Sequence, residues 1–214
     1  MKLNQIQKDV LFGGLLGDLS LQTYSNGKSW RVRCLQKREN LVYVNHICEI
    51  FSEFVKTRSK IINDPKHKVT LKSYSKAYFN TLVAPPFKEY GTMFYELEPI
   101  YKNGKSVYCR HKKVLPSLGI IYEALTPRAI AYWFMDDGSY KTTNKSIRFC
   151  TESFTLEENM RLCEVLKKRY NWNVNVIRHN KGYRIAMSKT SFKSFKDTIE
   201  IYVLPLFKYK FGDI

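Results

Sequence analysis

The chain has 214 residues, of which 44% are hydrophobic, enough for one large core or two small ones. Lys and Arg number 36 against 19 Asp and Glu, and the net charge of +17 points to a polyanionic partner, nucleic acid before any other. Five cysteines without paired short spacings, at 34, 48, 109, 150 and 163, exclude a disulfide framework and a zinc site and predict reduced thiols in an intracellular protein. Met1 to Lys8 is too polar for a secretory signal, and no apolar run approaches the roughly 18 residues of a membrane span. No transit peptide is recognisable, so the protein is expected to be bacterial, organelle-encoded or already trimmed, and set in a bacterial cytoplasm, a mitochondrion or a chloroplast.

In chain order, Ile6 to Asp18 reads as a buried helix, apolar all round and ending in LFGGLLGDL. Gly13 and Gly17 share one face, where another backbone can approach closely. A glycine inside a helix costs about 1 kcal/mol, so the three here need a packing reason. Ser20 to Ser29 reads as a polar loop. Trp30 to Leu35 alternates as a strand, with Arg31 and Arg33 on one face and Trp30, Val32 and Cys34 on the other. Glu39 to Val55 has the spacing of an amphipathic helix. Lys60 to Asn63 and Lys68 to Tyr74 are predicted strands around a turn at Asp64-Pro65. Pro85 opens a predicted helix reaching Tyr101, with Phe87, Tyr90, Phe94, Leu97 and Tyr101 inward. A turn at 101–105 and a basic segment, Arg110 to Pro116, follow. Ile120 to Leu125 is a short helix, and Thr126-Pro127 caps a second buried helix, IAYWFMDDG, that ends on Asp136 and Asp137.

The second half repeats the order. Ser139 to Lys145 is a predicted loop and Ser146 to Glu152 a strand. Thr155 caps a helix to Tyr170, with Glu158 at the capping-box position. Val174 to Arg178 and Tyr183 to Ser188 form a predicted hairpin, Thr190 to Leu204 a helix, and LPLFKYK a closing basic segment. The motif aspartates stand 119 residues apart, and Gln36 and Glu152, each between a strand and the next helix, stand 116 apart. This agreement predicts an internal duplication with halves 1–118 and 119–214.

The two buried helices are predicted to pack against each other and bring Asp18 and Asp137 side by side. A carboxylate at a helix C-terminus meets the negative end of the macrodipole and needs a cation. Carboxylates and unpaired helix-end carbonyls together suit a divalent metal.

The two nonapeptides, the second within LTPRAIAYWFMDDG, resemble the paired motifs of the LAGLIDADG homing endonucleases in their single-chain form. The first copy departs from the usual letters but keeps the Gly-Asp ending. The resemblance covers nearly the whole chain. It implies an α+β fold of pseudo-twofold duplicated αββαββα halves with saddle-shaped antiparallel sheets. It implies Mg²⁺-dependent cleavage of both strands of a long, partly asymmetric DNA site by a monomer, with Mn²⁺ or Ca²⁺ able to occupy the metal site. Asp18 and Asp137 are then the metal ligands, assisted by the carbonyls of Gly17 and Asp136. Lys113 and Lys210, each near a proline at pseudo-equivalent places, become the catalytic lysines, with Lys112 and Lys208 as near alternatives. Gln36 and Glu152 resemble the polar residues that order water. Arg31, Arg33, Lys68, Lys72, Arg148, Arg178 and Arg184 are predicted to form the DNA-reading faces of the sheets. Two rival readings on the same scaffold are an intron RNA maturase and a non-catalytic DNA-binding regulator.

Overall fold

In a computed structural model of the chain, which describes residues 2–65, 73–102, 105–180 and 182–212, two compact units are present, Met1–Gly91 and Thr92–Ile214. Lys68, Lys72 and most of the predicted strand from Lys68 to Tyr74 lie outside the described residues, as do parts of the predicted turns at 101–105 and 180–182.

The first unit starts with α1 (Gln5–Leu16), entered through a capping box in which Asn4 and Gln7 satisfy each other's backbone N–H. Val10, Leu11, Phe12, Leu15 and Leu16 are all buried, as the apolar run requires. The helix stops two residues earlier than predicted. The N–H of Gly17 returns to the carbonyls of Gly13 and Gly14, and that of Leu19 to Gly14. Gly14 is needed for this reversal, because a Cβ there would lie 2.3 Å from the Leu19 side chain. Asp18 therefore sits in the turn after the helix and is exposed.

The segment predicted as a loop contains β1 (Ser20–Gln22), which pairs antiparallel with β2 (Arg31–Lys37). Its hydroxyls and amide resemble loop composition, but Leu21 is buried and the ladder decides the conformation. The predicted long helix is α2 (Leu41–Ile50) flanked by short 3₁₀ turns at Arg38–Asn40 and Ser52–Phe54. β3 (Lys60–Asn63) matches the prediction, and β4 (Ser75–Asn80), which the sequence reading did not include, is an interior strand of the order β1-β2-β4-β3. Thr81 ties β2 to the segment after β4, its hydroxyl accepting from the Val32 N–H at 2.9 Å.

Pro85 opens α3 (Pro85–Phe94), but the chain leaves the helix there and runs on as β5 (Tyr95–Lys102), paired with β6 (Lys105–Lys113). Pro99 cannot continue a helix, and Glu96 and Glu98 alternate with Leu97 as in a strand. Leu97, predicted inward, is 51% exposed.

In the second unit α4 (Leu118–Ala124) precedes α5 (Pro127–Asp137), capped by Thr126 as predicted. Ala129 through Met135 are buried without interruption. The predicted loop after Asp137 is instead β7 (Gly138–Lys141), paired with β8 (Ser146–Phe149). α6 (Leu156–Tyr170) has the predicted capping box and ends on Asn171 in the left-handed region. Glu158 of that box also accepts the buried Leu115 N–H at 2.7 Å, tying the segment before α4 to α6. β9 (Val174–His179) and β10 (Gly182–Met187) complete a sheet of order β7-β8-β10-β9, the order of the first sheet. α7 (Phe192–Ile199) is shorter than predicted and leads through 3₁₀ turns to Pro205–Phe211. Phe134 of α5 stacks on Phe211 at 4.9 Å and meets Phe195 edge-on at 5.2 Å, while Trp133 stacks on Phe149 at 4.1 Å.

The chain thus contains αββαββα twice, α1 to α3 and α5 to α7, with the β5–β6 hairpin and α4 between. The predicted α+β duplication is present, and the identical strand orders are its signature.

Candidate active site and DNA-reading faces

The reversal at Gly17 sets Asp18 beside the end of β2. Gln36 Nε2 donates to Asp18 Oδ2 at 2.8 Å, and Asn40 Nδ2 donates to Gln36 Oε1 at 3.1 Å. Gln36 lies inside β2, on the parity of the buried Val32 and Cys34, which is the helix side of the sheet. It therefore belongs to the motif-helix side and not to the outer face that carries Arg31 and Arg33. Asn40 was missed by the sequence reading, and its place four residues after Gln36 was the only signal.

In the second unit Asp137 is the last residue of α5, and its carbonyl accepts the Cys150 N–H at 3.0 Å. Lys210 Nζ donates to the carbonyls of Met135 at 2.6 Å, Asp136 at 3.0 Å and Phe134 at 3.4 Å. A cation at the negative end of α5 is what a terminal carboxylate pair requires. Lys210 and not Lys208 makes this contact, since Lys208 lies 3.9 Å from Glu200. Likewise Lys112 lies 3.8 Å from Glu98, whereas Lys113 is half-buried at the end of β6 opposite Tyr95. Burial pushes the Cys150 thiol up, partly opposed by Arg184.

Glu152 stands elsewhere. Ser20 pairs with Arg33 and Ser139 with Arg148, each serine two residues past its motif aspartate. Three residues on from Arg33 is Gln36; three on from Arg148 is Thr151, not Glu152. Thr151 is fully buried and donates to Asn159 Oδ1 at 2.5 Å. The strand predicted to reach Glu152 ends at Phe149, so Glu152 lies in the following turn, where it accepts a hydrogen bond from Arg184 Nε, while His179 Nδ1 lies 3.3 Å from the same Oε1.

On the outer faces, Arg31 Nη2 donates to Tyr24 Oη at 2.8 Å and Gln22 Oε1 at 3.1 Å, with its guanidinium 4.9 Å from the Tyr24 ring centre. Gln22 and Tyr24 were missed because their segment read as a loop. Arg33 shares the parity of Arg31, and Arg148 that of Arg184. Arg178 departs from the prediction: it pairs with Tyr183, one register step from the Arg184–Ile177 pair, and so takes the opposite face of the sheet. Arg31 and Arg148 each keep a buried Nε–H without a hydrogen-bond partner among the described residues. Among the described residues no group of three or more His, Cys, Asp or Glu side chains is assembled for a metal, and no helix is long and apolar enough to cross a membrane.

Comparison with known proteins agrees with this geometry. The chain is 34% identical to DNA endonuclease I-ChuI of Chlamydomonas applanata over 100% of this chain and 97% of that protein. It is 28% identical to the cytochrome b mRNA maturase bI2 of Debaryomyces hansenii over 99% of this chain and 75% of that protein. Among solved structures, the homing endonuclease I-WcaI bound to its DNA recognition sequence superposes with a TM-score of 0.82 at 25% identity, covering 99% of this chain and 88% of that one. The profile of the LAGLIDADG DNA endonuclease family matches residues 8–195, and with two motif helices, two sheets of one strand order and a carboxylate at or just past the end of each motif helix, the chain belongs to that family.

Proposed function

We propose that this protein is a site-specific homing endonuclease that, as a monomer, makes double-strand breaks in a long, partly asymmetric DNA target and promotes intron homing. The observation that carries this reading is the organised carboxylate at each motif end: Asp18 held by Gln36, and Asp137 ending a helix whose carbonyls Lys210 covers. A net charge of +17 and arginine-bearing outer faces support a duplex partner. The 1–118 and 119–214 halves are read as duplicates, each serving one strand.

The donors fit a hard divalent cation. Mg²⁺ keeps most of its waters and uses one or two carboxylates together with substrate phosphates, so one carboxylate per motif suffices without a protein cage. A bound Mg²⁺, or Mn²⁺ or Ca²⁺ in its place, would supply Lewis-acid stabilisation of charge on the scissile phosphate. Asp18 and Asp137 are its proposed ligands, with the Gly17 carbonyl as a backbone candidate. The Asp136 carbonyl accepts from Lys210, which makes it the weaker candidate. Gln36 orients the Asp18 carboxylate. Lys210 and Lys113 bring positive charge to the reacting phosphates. An intracellular setting, in an organelle or a bacterium, goes with this reading.

The test is selection of cleaved molecules from a randomised duplex library with Mg²⁺, with Asp18→Asn and Asp137→Asn in parallel. Discrete double-strand cuts that vanish in both variants are expected. Binding without cuts would favour the maturase reading, for which the likeness to an mRNA maturase is the supporting observation. An intron RNA would then be the ligand to test.

A further inference from the structure

Glu152 occupies a place that a water-ordering catalytic residue does not need. It lies in the turn after β8, against Gly182 of β10, whose register partner His179 shares a sheet face with Arg184 and Arg148. A Cβ at Gly182 would approach Glu152 Cβ to 3.0 Å and its carbonyl oxygen to 3.1 Å, so the missing side chain is what lets Glu152 lie against the strand. From there one carboxylate oxygen takes the Arg184 Nε–H and sits 3.3 Å from His179 Nδ1. The Arg184 side chain is only 20% exposed, and among the described residues it makes no other hydrogen bond. A guanidinium held through Nε retains both Nη groups, the pair that meets guanine O6 and N7 in the major groove. Its rotamer is fixed before DNA arrives, which removes an ordering cost on binding.

We propose that Glu152 is a positioning residue for sequence readout: it anchors Arg184, with His179 alongside, so that Arg184 reads a guanine in the half-site facing the second sheet. This rests on the chain being a DNA-binding protein of the proposed kind but not on its cutting DNA.

The experiment compares wild type, Glu152→Gln, Arg184→Lys and the double variant in two assays. The first is binding selection from the randomised duplex library with Ca²⁺. The second is single-turnover cleavage of the selected duplex with Mg²⁺ over a range of protein concentrations. Both single variants are expected to lose preference for one and the same guanine by about tenfold, the scale of one bidentate arginine contact. The double variant should lose no more than the worse single one, since the two residues act as a unit. In cleavage, the loss should fall on the protein concentration needed for half-maximal rate more than on the saturated rate. Loss confined to the saturated rate, with base preference intact, would make Glu152 catalytic and overturn the proposal. Loss of preference at different base pairs in the two singles would overturn it as well. Should Glu152→Gln fail to fold by circular dichroism, Arg184→Lys paired with Glu152→Asp carries the same comparison. A wild type that selects a site but never cuts it would sink the nuclease reading and leave this proposal standing.

Discussion

Lys210 Nζ lies 2.6 Å from the carbonyl oxygen of Met135 and 3.0 Å from that of Asp136, so the last turn of α5 is closed by a side chain 75 residues away. Charge-assisted hydrogen bonds of this kind contribute roughly 1.5–3 kcal/mol. Lys210→Met should therefore lower the urea midpoint by a loss of about 2 kcal/mol at unchanged m-value, with Lys210→Arg recovering part of it. An unchanged midpoint in Lys210→Met would show that the contact is not maintained in solution.

Gln36→Ala removes the amide that holds Asp18 Oδ2. Groups that orient a metal ligand typically contribute 10–100-fold in metal affinity or activity, so cleavage by Gln36→Ala should need about tenfold more Mg²⁺. Thr151→Ala, in the corresponding place of the second unit, should instead lower thermal stability, because it strips Asn159 of a buried partner. A magnesium titration and a melting curve on both variants separate the two effects.

Trp133 is fully buried against Phe149, yet its Nε1–H has no hydrogen-bond partner among the described residues. Trp133→Ala should cost about 3–5 kcal/mol through the cavity it leaves. Trp133→Phe keeps an aromatic ring and deletes an unsatisfied donor, so its cost should stay under about 1.5 kcal/mol. Denaturant unfolding of both variants measures the difference.

Burial pushes the Cys163 thiol from 9.0 to about 11. The raised value means the folded state disfavours the thiolate. Below pH 9 the group is neutral in folded and unfolded chains and has no effect; above it the unfolded chain ionises first. Stability should then fall by about 1.4 kcal/mol per pH unit from this group until the pH passes about 11. Iodoacetamide labelling at pH 8, read by mass spectrometry, should leave Cys163 unmodified in the folded protein and modify it in urea.

Much was legible from local pattern alone. The two motif runs could only be buried helices, because no face of either is polar. Thr126, Thr155 and Glu158 marked helix starts correctly, since a cap is a contact within four residues and needs no distant partner. Segments of mixed signal were misread. Ser20–Gln22 and Gly138–Lys141 have loop composition, and only pairing with β2 and β8 makes them strands. Tyr95–Lys102 carries apolar residues at helical spacing, and only the partner strand and Pro99 turn it into a hairpin.

The candidate site divides the same way. The two motif nonapeptides by themselves carry the resemblance to the family and the two aspartates proposed as metal ligands, and the repeated order of elements carries the duplication, because all of these are written in consecutive residues. Tertiary structure decided the companions of those aspartates. Gln36 and Glu152 look alike between a strand and a helix, but β2 runs through Gln36 and turns it to Asp18, whereas β8 ends at Phe149 and leaves Glu152 in a turn against Gly182, where it meets Arg184. Lys210 reaches the end of α5 only because the chain returns there through Phe207 and Phe211, whose burial against the core no local pattern could foretell.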